Sequence, residues 1–356
     1  MKEIRKKIDR IDLKISSLLD ERASLVREIG KLKVKTGTQI FAPEREKQII
    51  KNILSQSVAE DGFPEKSKAA IFNEIIAASR TLQRKLSISY LGPEATFTHL
   101  AAVKKFSDSC EYTPASSISR VFRDVEKERA DYGVVPVENS TEGIVSHTLD
   151  MFMDSGCRIC SEMLMEISHN LLSKNTDIKN IRRVYSHTQA LGQCSLWLEE
   201  NLPSAEYIEV SSTAKAAELA VSESESAAIA SVMASRLYGL NILAESIEDV
   251  PENITRFFII GRECPGPSGQ DKTTIMFSVK DRVGVLHDML VPFKEHNLNL
   301  TKIESRPSRA KAWQYIFFVD FTGHFSDPGV RQVLEKLEEN CLMLKVVGSY
   351  PAASQL

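Results

Sequence analysis

Leu18-Leu19-Asp20-Glu21-Arg22-Ala23-Ser24-Leu25-Val26-Arg27-Glu28-Ile29-Gly30-Lys31-Leu32-Lys33 places two cations where an apolar stripe should run. Traced back toward Met1, Ile4, Ile11, Leu18, Leu25 and Leu32 recur every seven residues. Ile8, Ile15, Arg22 and Ile29 form a second column, and Arg5, Asp12, Leu19, Val26 and Lys33 a third. Three adjacent columns of this period make one broad core-facing stripe on an α-helix. Arg22 lies in its middle and Lys33 one column over. Arg and Lys are rarely buried without a partner, and no acid occupies the stripe near them. The stripe is either a coiled-coil seam with snorkelling cations or a site where a partner segment or ligand supplies carboxylates. Arg22 and Lys33 stand about 16 Å apart on one face and can converge on one small ligand. Arg5 lies about 25 Å from Arg22 and must serve another site, most simply one belonging to a second chain. A helix of about 45 Å also outgrows a small monomeric domain, and an intertwined helical dimer accommodates it.

The 356 residues suggest two or three domains, with the 42% hydrophobic and 26% charged content of an ordinary soluble protein. No apolar run approaches the length of a membrane span. The charged start Met1-Lys2-Glu3-Ile4-Arg5 is not a signal peptide, so the cytoplasm is the expected compartment. Six scattered cysteines, of which only Cys157 and Cys160 form a C-x-x-C, fit reduced core thiols. That pair falls on an expected strand with its members on opposite faces, and there is no second pair, so no metal site is expected. Residues 1–86 hold 19 Lys and Arg against 12 Asp and Glu, while the whole chain is acidic. A basic module without nucleic-acid motifs or interleaved aromatics suits a small polyanion better than a nucleic acid.

Three helices are expected at about 2–35, 43–56 and 65–86, stopped by Thr36-Gly37-Thr38, started by Pro43 and separated by Asp61-Gly62-Phe63-Pro64. From Ser87 short strands alternate with helices. Strands are expected at 87–91, 110–114, 131–137, 157–169, 182–186, 205–209, 226–230 and 241–248. Helices are expected at 96–106, 117–126, 142–153, 177–179, 188–200, 211–221 and 231–237. This is an α/β pattern with mostly parallel strands in two lobes around a cleft. No G-x-G-x-x-G supports a dinucleotide fold. Cys264-Pro265-Gly266-Pro267-Ser268-Gly269 reads as a linker. Beyond it, strands at 272–279, 298–307, 313–322 and 342–349 with helices at 284–295 and 327–340 give a ferredoxin-like α+β order. The expected domains are thus all-α 1–86, two-lobed α/β 87–264 and ferredoxin-like 271–350.

Arg5, Arg22, Lys33, Arg45, Glu46, Ser79 and Gln83 together resemble the active-site set of the all-helical chorismate mutase family, over about residues 1–86. Ala42 departs from the pattern, which often has an acid there. The rearrangement of chorismate to prephenate needs no acid, base or nucleophile. It needs a compact conformer of a dicarboxylate and stabilised charge on the breaking ether oxygen. The resemblance implies that Arg22 and a second chain's Arg5 grip carboxylates. It gives Lys33 and Gln83 to the ether oxygen and Glu46 to the hydroxyl, with Arg45 and Ser79 in support.

Residues 88–262 resemble prephenate dehydratase. The matching stretches are Gly92 to His99, Gly133 to Gly143, Ser186 to Cys194, Ser212 to Ala217 and Asn253-Ile254-Thr255-Arg256-Phe257. Thr188 stands where the family pattern has proline. Prephenate loses carbon dioxide and hydroxide, and hydroxide leaves well only toward a hydrogen-bond donor. The resemblance implies Thr255 as that donor. Thr96, Glu138, Asn139, Ser140, Gln193, Thr213, Asn253 and Phe257 are the implied substrate-orienting set. Arg256 is either a carboxylate grip or an anchor for its loop. Helix starts after Asn139 and Ser212 offer N–H groups for carboxylates. Neither reaction calls for a cofactor or metal.

The last module resembles ACT regulatory domains through Gly284-Val285-Leu286 and Glu304-Ser305-Arg306-Pro307. The resemblance implies that these residues bind L-phenylalanine between two chains, inhibiting the pathway that makes it. A homo-oligomer, dimer or dimer of dimers, without nucleic-acid or membrane partners, completes the expectation.

Overall fold

The computed structural model describes residues 1–55, 62–307 and 315–353. The expected turn residue Asp61, the last residue of the second expected helix and the first two of the expected strand 313–322 lie outside them. The chain forms two compact units, one of residues 1–86 with 106–111, the other of residues 87–105 with 112–356.

Helices Lys2–Thr36, Pro43–Ser55 and Glu65–Gln83 build the first unit. Gly37 ends the first helix in the left-handed conformation (φ 69°), its amide returning to the Lys33 carbonyl. The expected broad core stripe divides. Val26 and Gly30 are buried, flanked by half-buried Arg22 and Lys33. The column Ile4, Ile11, Leu18, Leu25, Leu32 is 54 to 63% exposed. Among the described residues only the Val26 side faces a neighbouring helix of the same chain, because two short helices cannot cover a 35-residue one. Gly30 sets the closeness of that crossing: a Cβ there would sit 2.9 Å from Gln83 Cα.

In the second unit, residues 87–261 form two sheets. The first runs Glu111–Ala115, Ser87–Leu91, Tyr132–Asn139, Ile254–Gly261, Arg158–Glu166, with Gly143–Ile144 beside Tyr132–Asn139. The second runs Asn241–Ala244, Asn170–Ser173, Ser226–Ala230, Arg183–Ser186, Glu206–Glu209. The expectation of mostly parallel strands is corrected. Ile254–Gly261, absent from the expected strands, is antiparallel to both its neighbours, and Asn170–Ser173 is antiparallel to both of its own. The strand expected over 157–169 is observed as Arg158–Glu166 and stops before Ile167–His169; the next strand, Asn170–Ser173, was not expected and belongs to the second sheet. The chain leaves the first sheet through 167–169 and returns through 245–253. These crossovers are tied together by Ile167 N–H to Asn253 O (2.7 Å) and Ile247 N–H to His169 O (2.9 Å).

The C-terminal sheet is antiparallel in the order Leu300–Pro307, Tyr315–Thr322, Asp271–Ser278, Met343–Pro351. Helices Val285–Glu295 and Pro328–Asn340 complete the expected ferredoxin-like order. One face of this sheet packs on those helices through Phe277, Phe293 and Phe321. Its other face joins the core of the first sheet, where Met276, Phe318, Val347 and Tyr350 share a cluster with Phe152, Ile159 and Phe258. Gly348 permits this, since a Cβ there would meet the Ile159 carbonyl oxygen at 2.5 Å. The proline- and glycine-rich stretch 264–269 is therefore a chain linker but not a boundary between cores.

Candidate active sites

In the helical unit, a guanidinium N–H of Arg22 donates to Ser79 Oγ. Lys33 Nζ donates to the Ile40 carbonyl at 3.0 Å. Gln83 Nε2 donates to the Ser79 carbonyl at 3.3 Å, and its Oε1 is buried with no partner among the described residues. Arg22, Lys33, Ser79 and Gln83 thus line the contact of the first and third helices. Burial lowers the Lys33 pKa from the ordinary lysine range, opposed by the nearby carboxylates of Glu44 and Glu46. Glu46 is not free: Arg80, unforeseen in the sequence, holds both its oxygens at 2.8 and 3.1 Å. Arg80 is itself buried, with Phe41 and Phe106 rings 5.3 and 5.5 Å from its guanidinium carbon. Arg45 and Arg5 are exposed. Neither joins the Arg22 group within this chain, as the spacing required for Arg5.

In the second unit, a cavity of about 470 Å³ opens where the two sheets meet. Of the residues inferred from the sequence, Thr96, Asn139, Gln193, Thr213, Asn253, Thr255 and Phe257 line it. Two expectations, for Glu138 and Ser140, are corrected, and of the two readings of Arg256 the geometry favours the anchor. Arg256 does not reach the cavity. Its side chain lies on the opposite face of the strand, where Nε and Nη2 hold Glu162 (2.8 and 2.6 Å), Nη1 holds Asp320 (2.6 Å) and Nη2 reaches the Tyr350 hydroxyl (3.1 Å). Glu138 turns away to Lys302 Nζ at 2.7 Å. Ser140 Oγ donates to the Glu252 carbonyl (3.2 Å) and accepts from the Ile254 N–H (2.9 Å), so it fastens the backbone and does not line the cavity. Among the described residues no Arg or Lys lines the cavity.

The helix expected to start just after Asn139 begins at Ser146. Asn139 instead closes a tight turn: its Oδ1 accepts from Thr141 N–H (3.0 Å), Thr141 Oγ1 (2.6 Å) and Glu142 N–H (3.0 Å). Gly143 follows at φ 83°, which breaks any helix there. With its oxygen saturated, the Asn139 amide directs Nδ2 to Asn253 Oδ1 (2.6 Å) and Thr255 Oγ1 (2.8 Å). Thr255 therefore accepts from Asn139 and keeps its own hydroxyl proton to give. Two ten-residue helices start at the cavity wall, Phe97–Phe106 after Thr96 and Thr213–Ser222 after Ser212. Thr96 Oγ1 accepts from His99 N–H and Ser212 Oγ from Lys215 N–H, which leaves the remaining first-turn N–H groups for an anion.

His169 was missed because the sequence reading put it at the end of a long strand. It lines the cavity at 3% exposure, with Nε2 2.8 Å from Gln193 Oε1 and the Phe97 ring edge-on at 5.3 Å. Burial lowers its pKa, against Gln193 and Glu248.

In the last module, Gly284 (φ 79°) precedes the helix of Val285 and Leu286, and Glu304, Ser305, Arg306 and Pro307 end the edge strand. No hydrogen bond or ion pair joins the two segments among the described residues. Arg306 is occupied, donating to Ser146 Oγ (2.6 Å) and lying 3.4 Å from Asp150. Cys157 and Cys160 hydrogen-bond separate carbonyls, and among the described residues no group of three or more possible ligands could hold a metal.

Comparisons with known proteins identify the family. Residues 4–84 match the chorismate mutase type II family, residues 88–265 prephenate dehydratase and residues 273–339 the ACT domain. The bifunctional chorismate mutase/prephenate dehydratase of Aquifex aeolicus is 50% identical over 99% of this chain and 98% of its own length. The same-named protein of Pseudomonas aeruginosa is 44% identical over 99% and 98%. The structure of the Arthrobacter aurescens prephenate dehydratase in complex with L-Phe is 34% identical, covers 75% of this chain and 90% of its own, and superposes with a TM-score of 0.69. No helix is long and apolar enough to cross a membrane among the described residues. With three family matches in order and full-length relatives at this identity, the chain belongs to the family of bifunctional chorismate mutase/prephenate dehydratases.

Proposed function

We propose that the chain catalyses two consecutive steps toward phenylalanine and is inhibited by the amino acid itself. The helical unit rearranges chorismate to prephenate. Arg22 offers a carboxylate grip, while Lys33 and Gln83 face the breaking ether oxygen. The exposed Ile4 to Leu32 column and the remote Arg5 support a second copy of the chain that covers the column and completes the site. Sedimentation across a range of concentrations tests this; a monomer with full mutase turnover would overturn it.

The second unit converts prephenate to phenylpyruvate. The ring carboxylate leaves as carbon dioxide, its bonding pair enters the ring, and the ring hydroxyl departs toward a donor. The observation that carries this reading is the Thr255 hydroxyl, which lines the cavity and accepts from Asn139 at 2.8 Å, leaving its own proton available to a leaving group. The two helix N-termini at the wall suit the two carboxylates of prephenate in a cavity that no cation among the described residues lines. Appearance of phenylpyruvate absorbance on adding prephenate tests the assignment, and a folded protein giving none would end it. L-phenylalanine is the effector of the ACT module, through Gly284–Leu286 and Glu304–Pro307 at an interface between copies. The cytoplasm is its compartment, a reading supported by six unbridged cysteines.

A further inference from the structure

Thr255 stands at the end of a chain of side-chain amides whose far end is His169. His169 Nε2 and Asn253 Nδ2 both meet Gln193 Oε1, at 2.8 and 3.2 Å. Asn253 Oδ1 accepts from Asn139 Nδ2, which also donates to Thr255. Each link fixes the next. Asn139 cannot turn over, because three donors converge on its oxygen. Asn253 must then present its oxygen to Asn139 and its nitrogen to Gln193. Gln193 must present its oxygen to both Asn253 and His169, so the proton of the neutral imidazole resides on Nε2. The other ring nitrogen, Nδ1, is buried without a partner among the described residues. An unmatched buried lone pair is tolerated better than an unmatched N–H, so the same tautomer is favoured from the other side of the ring. His169 and Asn253 lie on the two crossovers between the sheets, and Gln193 belongs to the second lobe. The chain therefore ties both crossovers to the turn that holds Thr255.

We propose that His169 is a positioning residue of the dehydratase: as the Nε2–H tautomer it holds the Gln193 amide in the one orientation that keeps Asn253 and Asn139 in line and leaves the Thr255 proton for the departing hydroxyl. This rests on the assignment of the cavity to prephenate. Without the imidazole N–H, Gln193 keeps one donor on its oxygen in place of two and is free to rotate. It then also releases its Nε2 contacts to Thr141 Oγ1 and Glu142 Oε1, at 3.4 and 3.2 Å. The loss falls on alignment of the donor in the transition state, so it appears in kcat more than in KM.

The test compares H169Q, H169N and H169L with the unaltered protein in the prephenate assay. Glutamine places an amide nitrogen where Nε2 was, and asparagine places it where Nδ1 was, with the same polarity. H169L and H169N are expected to lower kcat about tenfold or more, with KM changed less than about threefold. H169Q is expected to recover most of it. Nitrogen-15 NMR of histidine-labelled protein should show His169 protonated on Nε2 alone. Equal activity of H169L and the unaltered protein, equal activity of H169Q and H169N, or a proton on Nδ1 each overturns the proposal. If the unaltered protein makes no phenylpyruvate, the dehydratase assignment fails; the NMR tautomer still decides the hydrogen-bond chain.

Discussion

Replacing Arg256 with methionine separates an anchor from a substrate grip. The guanidinium is almost enclosed, paired with Glu162 and Asp320, and lies 4.7 Å from the centre of the Phe258 ring. Methionine fills much the same volume but leaves four buried partners short of one cation. Glu162 retains Lys272, whose Nζ holds its oxygens at 2.8 and 3.1 Å. Among the described residues Asp320 retains only the Thr274 hydroxyl at 2.7 Å. Breaking a buried pair from one side costs about 3–5 kcal/mol, most of it the uncompensated charge. For a unit of this size that lowers the unfolding midpoint by roughly 10 °C. The double variant R256M/D320N removes the orphaned charge and is expected to recover at least half of the loss. Thermal unfolding followed by circular dichroism, with prephenate turnover at 20 °C alongside, measures both effects. A midpoint within about 2 °C of the unaltered protein, combined with a raised KM, would return Arg256 to the substrate and refute the anchor. The cluster also predicts a pH dependence. Burial alone would raise the Glu162 pKa, but Arg256 and Lys272 outweigh it and the carboxyl titrates below its usual range. A depressed carboxylate contributes stability above its unfolded pKa, and this is lost as pH falls through the folded value. R256M should therefore lose less of its remaining stability on acidification than the unaltered protein.

T255V should lower dehydratase kcat by about a hundredfold and leave chorismate turnover intact, whereas T255S retains the donor; a change under threefold in T255V would remove Thr255 from the reaction. Mutase turnover should fall as pH rises through the lowered pKa of Lys33, because only the ammonium stabilises the ether oxygen. K33R should move that alkaline limb upward, and a profile flat into the ordinary lysine range would contradict the role. The Lys302–Glu138 bridge joins the edge strand that carries Glu304–Pro307, the proposed effector segment, to the residue before Asn139. K302M should raise the phenylalanine concentration for half-inhibition of the dehydratase about fivefold, and an unchanged inhibition curve would show that the signal travels elsewhere.

The heptad columns of the first helix made its length and its cations legible, because a 3.5-residue repeat survives in any single chain. The ferredoxin-like order was legible for a similar reason: its strands and helices each carry one period between turn residues. Ile254–Gly261 escaped because Ile-Thr-Arg-Phe-Phe-Ile-Ile has no alternation. It is an interior strand of its sheet, paired on both sides and covered on both faces, and such strands lose the period-two signal. Arg80 and His169 escaped for another reason. Each is defined by partners far away in sequence, Glu46 and Gln193, and nothing local distinguishes a buried cation or imidazole from an exposed one. The same holds for Arg256, whose two readings differ only in which face of an unrecognised strand it occupies.

The four charges around Arg256 are evenly divided. Arg256 and Glu162 come from the dehydratase lobe, Lys272 and Asp320 from the ACT module. Each side thus brings one cation and one anion, and neither carries a surplus when considered alone. A sensory module attached through such a balanced junction can be joined or exchanged by recombination near residues 264–269 without stranding an unmatched charge in its host. Thr255 and Arg256 are consecutive, so an enzyme acquiring this module anchors it one residue from the hydroxyl proposed above as its proton donor. Chemistry and control then need no long-range wiring between them: they share a strand and occupy its two faces.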